Sequence, residues 1–96
     1  MPYELTYKYK CLEIYIDMVR IYFDVQDYAN AQKYASLALL IDKTNVDAYY
    51  WLIRAKRHKD SLSMAKGELK LAEHILTSEE YEELLQKLEK TRDLEI

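Results

Sequence analysis

The chain has 96 residues; half are apolar, 32% are charged, and the net charge is −3. This length suits one small domain, and the composition is typical of a folded globular chain. With one glycine and one proline, the chain lacks the turn residues of a β sandwich or barrel and cannot build a glycine-rich phosphate loop. We therefore predict a single all-α domain over residues 1–96.

The sequence contains no pattern that indicates an enzyme or a metal protein. Cys11 is the only cysteine and His58 and His74 the only histidines, so no Cys-x-x-Cys or His-Glu-x-x-His motif occurs. We expect Cys11 to fill a small space in the core, His58 to be exposed and His74 to be half-buried. The hypothesis is a protein without catalytic residue, metal site or cofactor.

The charge distribution argues against nucleic acid as the partner. Residues 54–72 carry 6 basic and 2 acidic side chains and the flanking regions are acidic, a small surplus when each phosphate contact takes one Lys or Arg. The longest mostly apolar stretch, residues 35–41, is far shorter than a bilayer-spanning helix. A lone cysteine fits a reducing compartment, so we expect a cytoplasmic protein that binds neither nucleic acid nor membranes.

The first predicted element is one long helix from about Tyr3 to Asp24. Its apolar residues step by 4, 3, 4, 3 and 4 positions, as in one stripe along a helix. They are Leu5, Tyr9, Leu12, Ile16, Val19 and Phe23. The alternative for residues 3–9 is a short strand, because apolar and polar residues alternate there, but it would have no partner strand.

Four shorter helices are predicted to follow. Their approximate ranges are 27–41, 45 onward, 61–76 and 78–92. Thr44 and Asp47 resemble a capping box at the start of the third helix, and Thr77 and Glu80 form one at the start of the fifth. The fifth helix has leucines on one face and charges on the other, which predicts a cap that closes a helical stack.

A repeat of 34 residues runs through these helices, with copies at about 12–45 and 46–79. The matching pairs are Tyr15 and Tyr49, Met18 and Leu52, Val19 and Ile53, Ala31 and Ala65, Leu37 and Leu71, Ala38 and Ala72, and Ile41 and Ile75. In each copy two alanines seven positions apart share one helix face, where a second helix can approach closely. The predicted architecture is two helical hairpins plus a capping helix.

These positions resemble the tetratricopeptide repeat (TPR) family, whose pattern combines an aromatic residue, a Leu-Gly pair, a tyrosine, alanines and a closing proline. The matches are Tyr15, Met18, Val19, Tyr22, Ala31 and Ala38 in copy one, and Tyr49, Leu52, Ile53, Ala65, Leu69 and Ala72 in copy two. Lys43 and Thr77 stand where proline is usual. The resemblance implies a non-enzymatic module that binds a protein or peptide.

A narrower resemblance involves residues 48–55, Ala-Tyr-Tyr-Trp-Leu-Ile-Arg-Ala, and residues 76–81, Leu-Thr-Ser-Glu-Glu-Tyr. They are similar to the bacterial transcriptional activator domain, a TPR-like module of transcription regulators. This similarity implies the alternative function, a dimerisation or regulatory domain that contacts a second copy or an attached regulator domain.

Aromatic and arginine residues predict the binding groove. Residues 49–51 are all aromatic and span about 200° around a helix, so Tyr50, Trp51 or both should line the inner face. Arginine can bind a carboxylate through two hydrogen bonds, and both residue types are common at interface hot spots. The predicted groove residues are Ile16, Arg20, Phe23, Tyr50, Trp51, Arg54 and Arg57. The alternative for Trp51 is packing beneath the first helix or the cap.

The N-terminal end of the predicted stack has no cap. Stacks of this kind usually need about three repeats and polar terminal units, whereas this chain has two repeats and one cap. We therefore expect a second copy or another domain to cover the first helix, with Leu5 and Tyr9 at the contact. A homodimer is the expectation for the isolated chain.

Overall fold

The structure, a computed structural model, describes the backbone of residues 3–95 and the side chains of residues 6–95. These residues form five α-helices and no strand. The helices are α1 (Tyr3–Asp24), α2 (Tyr28–Ile41), α3 (Val46–Lys59), α4 (Leu62–Ile75) and α5 (Ser78–Glu89). The predicted all-α fold is confirmed, and residues 3–9 are helical rather than extended.

The helices pack as two successive hairpins. α1 packs on α2 and α3 on α4, while α2 also packs on α3 and joins the two hairpins. α2 and α4 each have 14 residues, and their bounds differ by 34 positions at both ends. α3 lies between α1 and α5. The first helix of each hairpin and the last helix therefore lie side by side, and the candidate site is on these helices.

Each helix after the first begins at a short polar residue that accepts a hydrogen bond from a backbone N–H three positions on. These residues are Asp27, Asn45, Ser61 and Thr77. Such caps satisfy donors that have no partner inside the helix. The predicted capping box of α5 is confirmed, because Glu80 also accepts a hydrogen bond from the backbone N–H of Thr77 at 2.9 Å.

The predicted capping box at the start of α3 is wrong by one residue. The Thr44 hydroxyl donates to Oδ1 of Asp42 at 3.1 Å, so it does not cap the helix. Asn45 takes that role and accepts a hydrogen bond from the N–H of Ala48 at 2.8 Å. Asn45 rather than Thr44 is therefore the residue that caps α3, and Asp42 contacts the side chains of both.

Alanines make up much of the fully buried core. The fully buried ones are Ala31, Ala35, Ala38, Ala48, Ala55, Ala65 and Ala72. They include both alanine pairs of the 34-residue repeat, and the repeat pair Val19 and Ile53 is fully buried as well. Tyr49 is buried between α3 and α5, and this burial together with the nearby Glu68 raises the pKa of its phenol. The phenol therefore remains neutral within the core.

α5 ends at Glu89, three residues before the predicted end. The Thr91 hydroxyl donates to the carbonyl of Leu88 at 2.7 Å, and Arg92 adopts the left-handed conformation with φ 61°. Leu94 then packs against the core around α3 and α5. Residues 90–95, which we call the C-terminal segment, therefore turn back onto the stack instead of extending the helix.

The substitution Ala65→Leu tests the close contact between helices. Overpacking a fully buried site should lower the free energy of unfolding by about 1 to 3 kcal/mol. Ala29→Leu is the matched control, because Ala29 is exposed on α2. Urea denaturation followed by circular dichroism measures both. If Ala65→Leu is as stable as Ala29→Leu, Ala65 does not lie at a close contact.

Candidate functional site

Aromatic and basic side chains of α3 meet the end of α1 beneath the C-terminal segment. The α3 residues stand at positions i, i+1, i+4, i+7 and i+8, so they share one side of the helix. With Phe23 they form what we call the arginine cluster: Phe23, Tyr50, Trp51, Arg54, Arg57 and His58. α3 turns its other side, which carries Leu52 and Ile53, into the core.

Arg54 lies at the centre of the arginine cluster. Its Cζ is 4.4 Å from the ring centroid of Phe23 and 5.2 Å from those of Tyr50 and Trp51. A guanidinium at such distances is attracted to the faces of aromatic rings. Its Nη1 also donates to the Tyr50 hydroxyl at 3.1 Å. The cation is therefore held in one orientation by three rings and a hydrogen bond.

The C-terminal segment places an aspartate against this cation. Nε of Arg54 donates to Oδ2 of Asp93 at 2.5 Å, and Nε2 of His58 lies 3.2 Å from Oδ1. Nε of Arg57 donates to the main-chain carbonyl of Asp93 at 2.9 Å. The side chains of Arg54 and Asp93 are only 18% and 13% exposed. Three basic side chains thus bind one aspartate through both its carboxylate and its backbone. The ion pair of Arg54 and Asp93 is largely shielded from water.

Aromatic contacts fix the rest of the arginine cluster. The His58 ring stacks on Tyr28 with centroids 4.9 Å apart, and its edge meets Phe23 at 5.6 Å. Trp51 is half-buried and meets Phe23 edge-on at 5.2 Å. Trp51 therefore packs against α1, as the alternative interpretation of this residue expected. The basic and aromatic residues of the site come from α1, α2 and α3, and the carboxylate comes from the segment that follows α5.

Two of the predicted groove residues lie apart from the arginine cluster. Ile16 and Arg20 border a separate cavity of about 390 Å³ with Asn45 and Asp47. Arg20 forms an exposed ion pair with Asp17 at 2.7 Å. Phe23, Tyr50, Trp51, Arg54 and Arg57, the other predicted groove residues, are brought together as described.

The repeat explains why the two equivalent arginines differ. Arg20 has Asp17 one turn before it on α1, and the equivalent position in the second copy is Trp51. Arg54 therefore has an aromatic neighbour where Arg20 has a counter-ion. This difference leaves Arg54 to be neutralised by Asp93, from outside its own helix.

Three residues of the site were not among the predicted groove residues. His58 is exposed, as expected, but it was assigned no role, although its spacing from Tyr50 and Arg54 places it on the same face of α3. Tyr28 was expected only to fill space between helices. Asp93 lies beyond the predicted end of α5, and no pattern in the sequence links it to α3.

The remaining expectations concern residues outside this site. His74 was predicted to be half-buried but is exposed, because its side of α4 faces away from α3 and α5. Cys11 is half-buried on α1. Tyr9 is 52% exposed, and the Leu5 side chain lies outside the described residues. Within residues 3–95 no helix is long and apolar enough to cross a membrane, and no three His, Cys, Asp or Glu side chains form a group that could hold a metal ion.

A double-mutant cycle measures the contact between Arg54 and Asp93. We expect Arg54→Gln and Asp93→Asn to show a coupling of about 1 to 2 kcal/mol in the free energy of unfolding, since contacting residues are not additive. The control cycle pairs Arg54→Gln with Glu95→Gln, because Glu95 is exposed on the same segment and should give a coupling near zero. Equal couplings in the two cycles would contradict the buried ion pair.

Comparison with known proteins adds no family to this description. No protein-family model, no curated protein and no solved structure matches the chain. The function is therefore argued from the geometry of the site.

Proposed function

We propose that the chain is a non-enzymatic protein-interaction module that presents the arginine cluster to a peptide or helix of a partner. The observation that carries this proposal is the binding of Asp93, in which basic side chains hold a carboxylate and the adjoining main chain. Asp93 lies in a turn, in which the N–H of Glu95 donates to the carbonyl of Arg92 at 3.2 Å, so the site is suited to a peptide that presents an aspartate in a turn. The chemistry around Asp93 is that of a receptor for such a peptide.

Composition and helix order support the same function. Aromatic and arginine residues are enriched at interface hot spots, and residues 54–72 carry a surplus of basic side chains. The 34-residue offset between α2 and α4 supports the proposed TPR-like nature of the chain, in which adjacent first helices form the binding face. The lone cysteine fits a reducing compartment such as the cytoplasm.

Selection of peptides from a random library on the immobilised protein tests this function. The affinity of a selected peptide, measured by calorimetry, should fall at least about tenfold in Trp51→Ala and in Arg54→Ala, as expected for hot-spot residues. Arg20→Ala should have a milder effect, because Arg20 lies apart from the arginine cluster. Leu40→Ala is the control, since Leu40 is 83% exposed on α2.

Helical content by circular dichroism should be the same in all these variants. Failure to select any peptide, or selected peptides that bind Trp51→Ala and Arg54→Ala as tightly as the wild type, would contradict the proposed function.

A second candidate function, self-association, is favoured by the outer face of α1. Apolar residues there step by 4, 3, 4, 3 and 4 positions, as in a coiled-coil seam. They are Tyr7, Cys11, Ile14, Met18 and Ile21 on α1, and Val25 in the turn that follows it. Ile14, Ile21 and Val25 are more than half exposed, and this outer stripe lies opposite the stripe that packs into the stack.

Charges beside the outer stripe favour a second copy of this chain as its partner. Lys10 and Asp24 lie on the same flank of the stripe at opposite ends of α1, and both are exposed. In an antiparallel pair of α1 helices, Lys10 of each copy approaches Asp24 of the other. The two copies of Asp17 meet midway between these pairs, and Arg20 of the same chain neutralises each of them. This arrangement agrees with the alternative function, a dimerisation domain of a regulator. The two copies would meet at the outer stripe rather than at Tyr9, because Tyr9 lies on the other face of α1.

Replacing Ile14 and Ile21 together by Glu tests self-association. We expect the wild type to form dimers in sedimentation equilibrium and the double variant to remain monomeric, because four carboxylates per dimer would have to be buried in the interface. Leu40→Glu is the control for an added charge at an exposed leucine. A wild type of 11.5 kDa at all concentrations would exclude this candidate.

A further inference from the structure

We propose that the C-terminal segment is an internal ligand, so that a partner segment bearing an aspartate binds the arginine cluster by displacing Asp93. This inference rests on the proposed function and specifies its ligand class and its regulation. Asp93 already occupies the carboxylate position between Arg54 and His58. A second carboxylate cannot occupy the same position while the segment is docked.

The contacts of Asp93 divide into specific and general ones. Arg54 and His58 contact the carboxylate, which only an acidic residue offers. Arg57 contacts the backbone carbonyl, which any peptide chain offers. Asp93 makes these contacts from a turn closed by the hydrogen bond from the Glu95 N–H to the Arg92 carbonyl. An incoming segment that presents one aspartate in a similar turn can therefore reproduce the whole set, and charge-assisted hydrogen bonds favour the ionised acid.

The residue after the aspartate adds an apolar requirement. Leu94 packs on the core formed by α3 and α5 and borders a cavity of about 320 Å³ that Leu85 and Leu88 also line. The segment therefore presents an aspartate to the arginine cluster and a leucine to an apolar surface beside it. We infer that the partner segment carries an acidic residue followed by an apolar one.

The C-terminal segment has two further features: its other hydrogen bonds are local, and its backbone is strained at Arg92. Asp93 N donates to the Thr91 hydroxyl at 3.2 Å, and Thr91 is anchored to Leu88. Arg92 holds a left-handed backbone conformation that is unfavourable for a residue with a side chain. Release of Asp93 frees Arg92 from this conformation. The docked state therefore depends on the contacts that a competing aspartate would replace.

The experiment uses a fluorescent peptide with the sequence of residues 90–95, Lys-Thr-Arg-Asp-Leu-Glu. Its binding to the full chain is followed by fluorescence anisotropy. Asp93→Ala should bind it at least about tenfold more tightly than the wild type, because the apparent affinity rises as the fraction of open sites rises. Glu95→Ala is the matched control: it removes the same charge from the same segment without touching the arginine cluster, and it should bind like the wild type.

Two further measurements make the result specific. The double variant Asp93→Ala with Arg54→Gln should lose the affinity that Asp93→Ala gains over the wild type. A peptide with Asn in place of Asp should bind Asp93→Ala at least about tenfold more weakly than the original peptide, because the ionised acceptor is lost. If Asp93→Ala is not folded by circular dichroism, Thr91→Ala serves instead, because it loosens the segment without removing the counter-ion of Arg54. Equal affinity of the peptide for wild type and the folded variant overturns the inference.

Failure of this inference differs from failure of the proposed function. Library-selected peptides that depend on Arg54 but bind wild type and Asp93→Ala equally would overturn the internal ligand and leave the proposed function intact. In the opposite case, the hexapeptide binds Asp93→Ala in a way that depends on Arg54, but no library-selected peptide depends on Arg54. That result would support the internal ligand and contradict the proposed function.

Discussion

The guanidinium of Arg54 joins three parts of the chain that are distant in sequence. It rests on Phe23 of α1, lies beside Tyr50 and Trp51 of its own helix, and binds Asp93 beyond α5. A cation so far removed from water destabilises the fold unless a counter-ion accompanies it. The path of the C-terminal segment, including the left-handed turn before Asp93, meets this requirement. Asp93 is therefore held in place by side chains of α3.

Most of the fold could be predicted from the sequence because its main determinants are local and periodic. The alanine pairs, such as Ala31 and Ala65, mark the helix contacts, and the capping box at Thr77 marks a helix start. The errors arose where two local signals compete. Thr44 and Asn45 can both cap α3 and both contact Asp42, so the local sequence does not choose between them. The end of α5 was missed because Arg92, rather than a glycine, takes the left-handed position.

Only the part of the candidate site that lies on α3 could be predicted from the sequence. Tyr50, Trp51, Arg54 and Arg57 share a face of α3 by helical geometry, so their grouping follows from spacing alone. The carboxylate does not follow, because Asp93 is 39 positions from Arg54 and no periodicity connects them. The repeat also did not predict which arginine lies in the site. Arg20 and Arg54 hold matching positions in the two copies, but Asp17 neutralises only Arg20. Divergence between the two copies is what creates the site.

The link through Arg54 also affects how the stack unfolds. In a row of helical hairpins each unit contacts only its neighbours, so terminal helices can fray while the rest stays folded. Here detachment of α5 would remove Asp93 and leave Arg54 unneutralised against Phe23 of the first hairpin. Loss of the last helix therefore destabilises the first one directly, although the two lie at opposite ends of the row. This connection makes unfolding more cooperative than nearest-neighbour packing alone would allow.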